Sequence, residues 1–233
     1  GESEPPYYTG GCWEVGVSGK NGRARNTVAK DIDCGGEIGT GWSLHTGLQG
    51  GGGFDDPNPL GQYIENVQVI GGSYQMNPQA RHCAVGTSGN CDSFSMRADF
   101  GANPISDVTV SGGVYSGPAS ITVELGGHIT IDNNKFRPMP GARKDQSNAI
   151  FAQSPNLVIS NNDIAGYAKS GIGYDGYTTG DGTTGTITTR IEGNILADIG
   201  SEDTDVCNTD RVSPATAGSC HPTAETGFYI SKA

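Results

Sequence analysis

The amino-acid sequence predicts an all-β chain: a right-handed parallel β-helix solenoid of about six coils with long loops on one rim. Two observations carry that expectation: a recurring strand–Gly/Asn–strand unit and a composition suited to short strands and tight turns. A third is the lack of any convincing amphipathic helix period along the chain.

The unit is clearest in IENVQVIGGSY (64–74) and ISDVTVSGGVY (105–115). It returns in HITIDNNKF (128–136), NLVISNNDI (156–164) and TTRIEGNIL (188–196). Each reads as an apolar–x–apolar strand, one polar residue, a Gly/Asn pair, one further residue and an apolar anchor. Gly and Asn tolerate left-handed backbone that branched residues resist, so the pair marks a sharp bend and the anchor restarts an inward-facing strand. With Val69, Val110, Ile131, Ile159 and Ile191 as equivalents, the steps are 41, 21, 28 and 32 residues. The shortest suits one coil, and the longer ones require insertions. Units of this size bury their apolar faces only by stacking on neighbours.

A second strand follows each insertion: SFSMRADFG (93–101), SITVELGG (120–127), AIFAQSP (149–155), GIGYDG (171–176) and GFYISKA (227–233). GWSLHTG (41–47) fits the same slot in an earlier, looser coil that contains CGG (34–36). Alternation of period two points Phe94/Met96, Ile121/Val123, Ile150/Ala152, Ile172/Tyr174 and Phe228/Ile230 inward. A β-sandwich would show hairpin turns instead of a Gly/Asn pair at one fixed place, and a leucine-rich repeat needs more leucine.

The 233 residues fit one domain over 1–233, with 1–24 an irregular N-terminal segment and first coil and 25–233 the repeated coils. Only 34% of residues are hydrophobic and 38 are glycine, less apolar than an ordinary core of this length would use. The formal charge of −11 repels polyanions, and no basic stripe with interleaved aromatics appears, which excludes nucleic acid as the expected partner. No run approaches ~20 apolar residues, so no membrane span is expected. Gly1 reads as a mature N-terminus left after removal of a signal peptide. Six cysteines fall as three sequential pairs, Cys12/Cys34, Cys83/Cys91 and Cys207/Cys220. Local disulfides and an extracellular or cell-surface location are expected, although six cysteines allow other connectivities. A cysteine metal site is the alternative, but no C-x-x-C spacing supports it.

The repeat resembles the pectin-lyase-like superfamily of right-handed β-helices over roughly residues 25–233. That superfamily holds polysaccharide lyases, glycoside hydrolases and uronate epimerases beside tailspikes, adhesins and surface proteins. The resemblance therefore implies the architecture more strongly than a reaction. The D-P-H-D sequence of the alginate epimerases is absent, although Asp56-Pro57 lies in a Gly-rich loop. Asn208-Thr209-Asp210 matches one fragment of the polygalacturonase pattern without its companions.

Three insertions, roughly 76–92, 137–148 and 200–225, fall between the bend and the second strand, which would gather them on one rim. Along the second strands, the alternates of the inward residues line up as His45, Arg97, Glu124, Gln153, Asp175 and Ser231. Ser43, Ser95, Thr122, Phe151, Gly173 and Tyr229 run beside them. Coils ~4.8 Å apart would bring successive side chains within interaction range. In the lyases that the repeat resembles, a basic residue removes the proton alpha to a uronate carboxylate, and a second cation or Ca²⁺ stabilises the charge that develops. Carried over, Arg97 or His45 is the base, and Glu124 and Asp175 hold a cation or act as acid and base. The competing reading is a solvated ladder in which Arg97 pairs with Glu124. Phe151 and Tyr229 would contact the sugar. Arg81, His82, Lys135, Arg137, Arg143 and Lys144 form a loop patch suited to a carboxylate or sulfate. Asp203, Asp205 and Asp210 are hard oxygen ligands dense enough for Ca²⁺, without an EF-hand spacing. His128 reads as a coil-edge residue.

The strand at 227–233 ends the chain with no capping element after it, and an open strand edge invites pairing. Either the chain is part of a longer protein, or its end is covered by a partner or another subunit. Two functions are expected, and the open end supports the second. One is a carbohydrate-active protein that binds, and cleaves or epimerises, a uronate-containing polysaccharide. The other is a non-enzymatic extracellular structural or adhesive subunit that self-associates through its coil ends.

Overall fold

The computed structural model describes residues 11–17, 19–38, 40–46, 61–76, 95–97, 105–117, 121–124, 127–138, 148–153, 156–167, 170–175, 188–199 and 228–231. These residues form strands and turns, with no helix among them.

The strands sort into three parallel sheets. Sheet A holds β1 (Gly11–Val17), β4 (Thr40–Thr46), β7 (Ser95–Arg97), β10 (Ile121–Glu124), β13 (Asn148–Gln153), β16 (Ser170–Asp175) and β19 (Phe228–Ser231). Sheet B holds β2 (Arg23–Lys30), β5 (Tyr63–Ile70), β8 (Ile105–Ser111), β11 (Gly127–Asp132), β14 (Asn156–Ser160) and β17 (Thr188–Glu192). Sheet C holds β3 (Asp33–Ile38), β6 (Ser73–Met76), β9 (Val114–Ser116), β12 (Lys135–Arg137), β15 (Asp163–Ala165) and β18 (Ile195–Ala197). The chain visits A, B and C in rotation, so hydrogen-bonded neighbours are three strands apart in sequence. The repeat equivalents pair as expected: Val69 with Val110, Val110 with Ile131, Ile131 with Ile159, and Ile159 with Ile191. Ala29, which pairs with Val69, adds a sixth member to that row.

Short bends fix this register. Every passage from sheet B to sheet C takes two residues, and the first is left-handed: Asp31, Gly71, Gly112, Asn133, Asn161 and Gly193 have φ between 51° and 70°. The second residue is a site where asparagine enters the interior. Asn162 is fully buried; its Nδ2 donates to the Ile131 carbonyl at 3.0 Å and to Asn194 Oδ1 at 2.9 Å. Its Oδ1 accepts from the Asn134 backbone N–H at 2.9 Å and from Asn134 Nδ2 at 3.1 Å. Asn134 Oδ1 in turn accepts from the Gly113 N–H at 3.0 Å, which carries the ladder to the next strand pair. At Gly113 no side chain fits, since a Cβ there would come within 2.7 Å of the Tyr115 ring. Asparagine serves the bend by satisfying buried backbone groups that the turn leaves without ladder partners.

The inward residues of all three sheets form one apolar cluster. Sheet C contributes a stack in which the rings of Tyr74 and Tyr115 lie 5.0 Å apart and those of Tyr115 and Phe136 5.2 Å apart. Sheet A contributes Trp13 on Trp42, 5.3 Å apart and nearly parallel. Burial pushes the hydroxyls of Tyr74 and Tyr115 above their ordinary range, against the opposing effect of Trp13 and Trp42 indoles beside them.

At the N-terminal end the sequence pattern is thinner. The bend there is Asp31–Ile32; Cys34, aligned with Tyr74, is the anchor that follows it, so CGG lies beyond the bend. Cys34 is bonded to Cys12, tying β3 to β1. The expected segment 1–24 includes β1 and the start of β2. Cys83, Cys91, Cys207 and Cys220 lie outside the described residues.

Candidate functional site

Strand bounds show where chain length is spent. The passage from B to C is constant, whereas the long connections 47–62, 77–94, 138–147, 176–187 and 198–227 all enter or leave sheet A. Three of these are the insertions expected from the sequence; 47–62 and 176–187 border the other edge of the same sheet.

Across sheet A, the backbone register places the expected residues in rows. His45 pairs with Arg97, Arg97 with Glu124, and Glu124 with Gln153. Asp175 pairs with Ser231, and Ala152 with Tyr174, one position before Gln153 and Asp175. The neighbouring row runs Ser43, Ser95, Thr122, Phe151, Gly173 and Tyr229. Arg97 and Glu124 are therefore adjacent, while Glu124 and Asp175 sit on strands separated by β13, roughly 10 Å apart. Phe151 is half-buried beside Gly173, a position without a side chain.

β1 extends both rows by one strand, aligning Glu14 with Ser43 and Gly16 with His45. His45 Nε2 lies 3.4 Å from Glu14 Oε1, and the ring passes over Gly16, where a Cβ would come within 2.8 Å of Nε2. Glu14 was not among the residues expected from the sequence. The shared pattern of CWEVGV and GWSLHT, each with a tryptophan pointing inward, is the signal that would have found it. The pair engages Nε2 of the His45 ring, with both side chains more than a third exposed.

Comparison with protein-family models, with curated proteins and with solved structures finds no match.

The basic patch divides. Lys135 and Arg137 belong to β12 of sheet C, not to sheet A. Arg137 donates to the Asp163 carboxylate at 2.7 Å and to the carbonyls of Phe136 and Asp163 at 2.7 and 2.9 Å, which occupies most of its guanidinium. Lys135 is exposed and aligned with Val114 and Asp163. Arg81, His82, Arg143 and Lys144 lie outside the described residues, as do Asp203, Asp205 and Asp210. Among the described residues, no three His, Cys, Asp or Glu side chains come together as they would around a metal ion. No helix among them is long and apolar enough to cross a membrane. The Cys12–Cys34 disulfide is consistent with an extracellular location.

Proposed function

We propose that the chain is a secreted right-handed parallel β-helix whose sheet A face binds a uronate-containing polysaccharide. Rotation through three parallel sheets with a shared interior supports the coiled architecture, and parallel crossovers strongly favour the right hand. The observation that carries the function is the row His45–Arg97–Glu124–Gln153 on the one sheet that every long connection borders. A parallel sheet sets successive strand positions about 4.8 Å apart, a spacing that suits an extended polymer crossing the row. Phe151 adds an apolar surface for the C–H face of a sugar ring.

If the site also cleaves, the reaction is β-elimination: His45 or Arg97 takes the proton alpha to the carboxylate, the bond to the 4-oxygen breaks, and a carbon–carbon double bond forms. The departing oxygen leaves with a proton from an acid such as Glu124. Incubation with alginate, pectate and glycosaminoglycans, with and without Ca²⁺, checks this by the absorbance of the new double bond. Flat traces remove the lyase reaction. Calorimetric titration with the same polymers checks binding: we expect saturable binding to at least one polyuronate, weakened about tenfold in Arg97→Ala. No binding to any of them removes the proposed function and leaves the structural subunit.

A further inference from the structure

Sheet B carries a second constellation, which the function above does not use. Within β2, β5, β8 and β11 one exposed residue of each strand is left-handed: Asn26, Asn66, Asp107 and His128 have φ of 57°, 54°, 54° and 54°. The registers on either side align these four residues, and the row continues to Asn156 and Thr188. At the B-to-C bends half of the left-handed residues are glycine; here none of the four is. Glycine would hold this backbone without strain, so retaining four polar side chains costs conformational energy that an outward-facing role would explain.

Those side chains engage one another and border a cavity. Asn66 Nδ2 donates to Asn26 Oδ1 at 2.7 Å, and His128 Nδ1 lies 3.2 Å from Asp107 Oδ1, with both side chains more than half exposed. Beside them is an open depression of about 400 Å³, lined by Asn66, Asp107, Thr109, His128, Thr130 and Val158 among others. Its lining mixes carboxylate, amide, imidazole and hydroxyl groups with the apolar Val158, which is aligned with Thr130. A ring that presents hydroxyls at its edge and C–H bonds on its face matches that arrangement. An anionic ligand does not, because it would meet Asp107, while Arg25 and Arg190 on the same sheet are held by Glu65 at 2.7 Å and Glu192 at 3.1 Å. A metal ion does not either, since only Asp107 and His128 offer it strong ligands here.

We propose that this depression is a binding site for neutral saccharides, separate from sheet A. Neighbouring strands about 4.8 Å apart each present one polar residue of the row, which suits an extended chain of sugar rings running across them.

The test is an NMR titration of the full chain with cellopentaose, laminaripentaose, mannopentaose and maltopentaose, and with polyguluronate as an anionic control, following the ring signals of His128 and His45. Saturable shifts of His128 with a neutral oligosaccharide, while His45 stays unmoved, are expected. Asp107→Asn and the double variant Thr109→Val/Thr130→Val should each lower that affinity at least tenfold; the second keeps β-branched side chains in the strand and so keeps the sheet. The proposal is overturned if no neutral oligosaccharide moves His128, if only polyguluronate does, or if both variants bind as the parent does. Because His45 reports separately on sheet A, failure of one site does not imply failure of the other.

Discussion

Sheets A and B are built from neighbouring strands of the same cycles, yet they treat chain length in opposite ways. Sheet B hands the chain to sheet C through two residues each time, with a left-handed first residue and, over three cycles, an asparagine ladder beneath. Sheet A receives and releases the chain through connections of very different length. The constant corner holds the register in place. The variable edges are where loops can change without the register changing, which is why the candidate polyuronate site belongs to sheet A. Two of the long connections, 47–62 and 176–187, also run into sheet B, but the site proposed there is drawn from strand residues, the Asp107–His128 row among them.

The sharpest way to break this comparison is to damage each region in turn. Replacing Asn162 by leucine removes the donor to Ile131 and the acceptor for the Asn134 N–H in the buried interior. Leaving buried backbone groups unpaired should cost about 3–4 kcal/mol in urea unfolding. His45→Ala on sheet A should change stability by less than about 0.5 kcal/mol. Equal losses would mean that the corner does not set the register. Next in size is the Cys12–Cys34 bond, which ties sheet A to sheet C at one end and spans 22 residues. Replacing both cysteines by serine should lower stability by about 3 kcal/mol through chain entropy, with the strands of the later cycles retained in circular dichroism.

The same contrast governs what the sequence discloses. The rows Val69–Val110–Ile131–Ile159–Ile191 and His45–Arg97–Glu124–Gln153 are readable because period-two alternation and the Gly/Asn pair each leave a mark at a fixed distance. The first bend is not, because Asp31–Ile32 contains neither glycine nor asparagine, and its row member Ala29 is small. The left-handed row in sheet B is hidden for a different reason. Asn66, Asp107 and His128 look like ordinary outward residues, and only the backbone dihedral shows that each strand turns left-handed there. Glu14 was missed because β1 precedes the first complete unit, so no bend marks its register.

Alkaline pH probes the interior that both sheets share. Tyr74 and Tyr115 titrate above their ordinary range because burial disfavours the phenolate. Their folded pKa exceeds the unfolded value of about 10, so the unfolded chain loses protons first. The stability they contribute is complete below pH 10 and falls as pH rises beyond it. Both should be missing from the reversible tyrosinate absorbance and should appear only as the fold is lost, which the variants Tyr74→Phe and Tyr115→Phe check by difference. If the two ionised near pH 10 with the sheets intact, the ring stack of sheet C would not be sealed from water.

The smallest effect on stability is expected at Gly16, where it separates structure from function most cleanly. A methyl group there would meet His45 Nε2 at 2.8 Å, and the ring can give way by swinging off Glu14. Both partners are more than a third exposed, so Gly16→Ala should change stability by no more than about 0.5 kcal/mol. The His45 ring signals should nevertheless move, and binding of polyuronate at sheet A should weaken several-fold, while the response of His128 to neutral oligosaccharide stays as it was. Weakening at both sheets would mean that the substitution acts through the shared interior and that the two faces are not independent. Unchanged polyuronate binding would show that His45 does not need the orientation that Glu14 gives it.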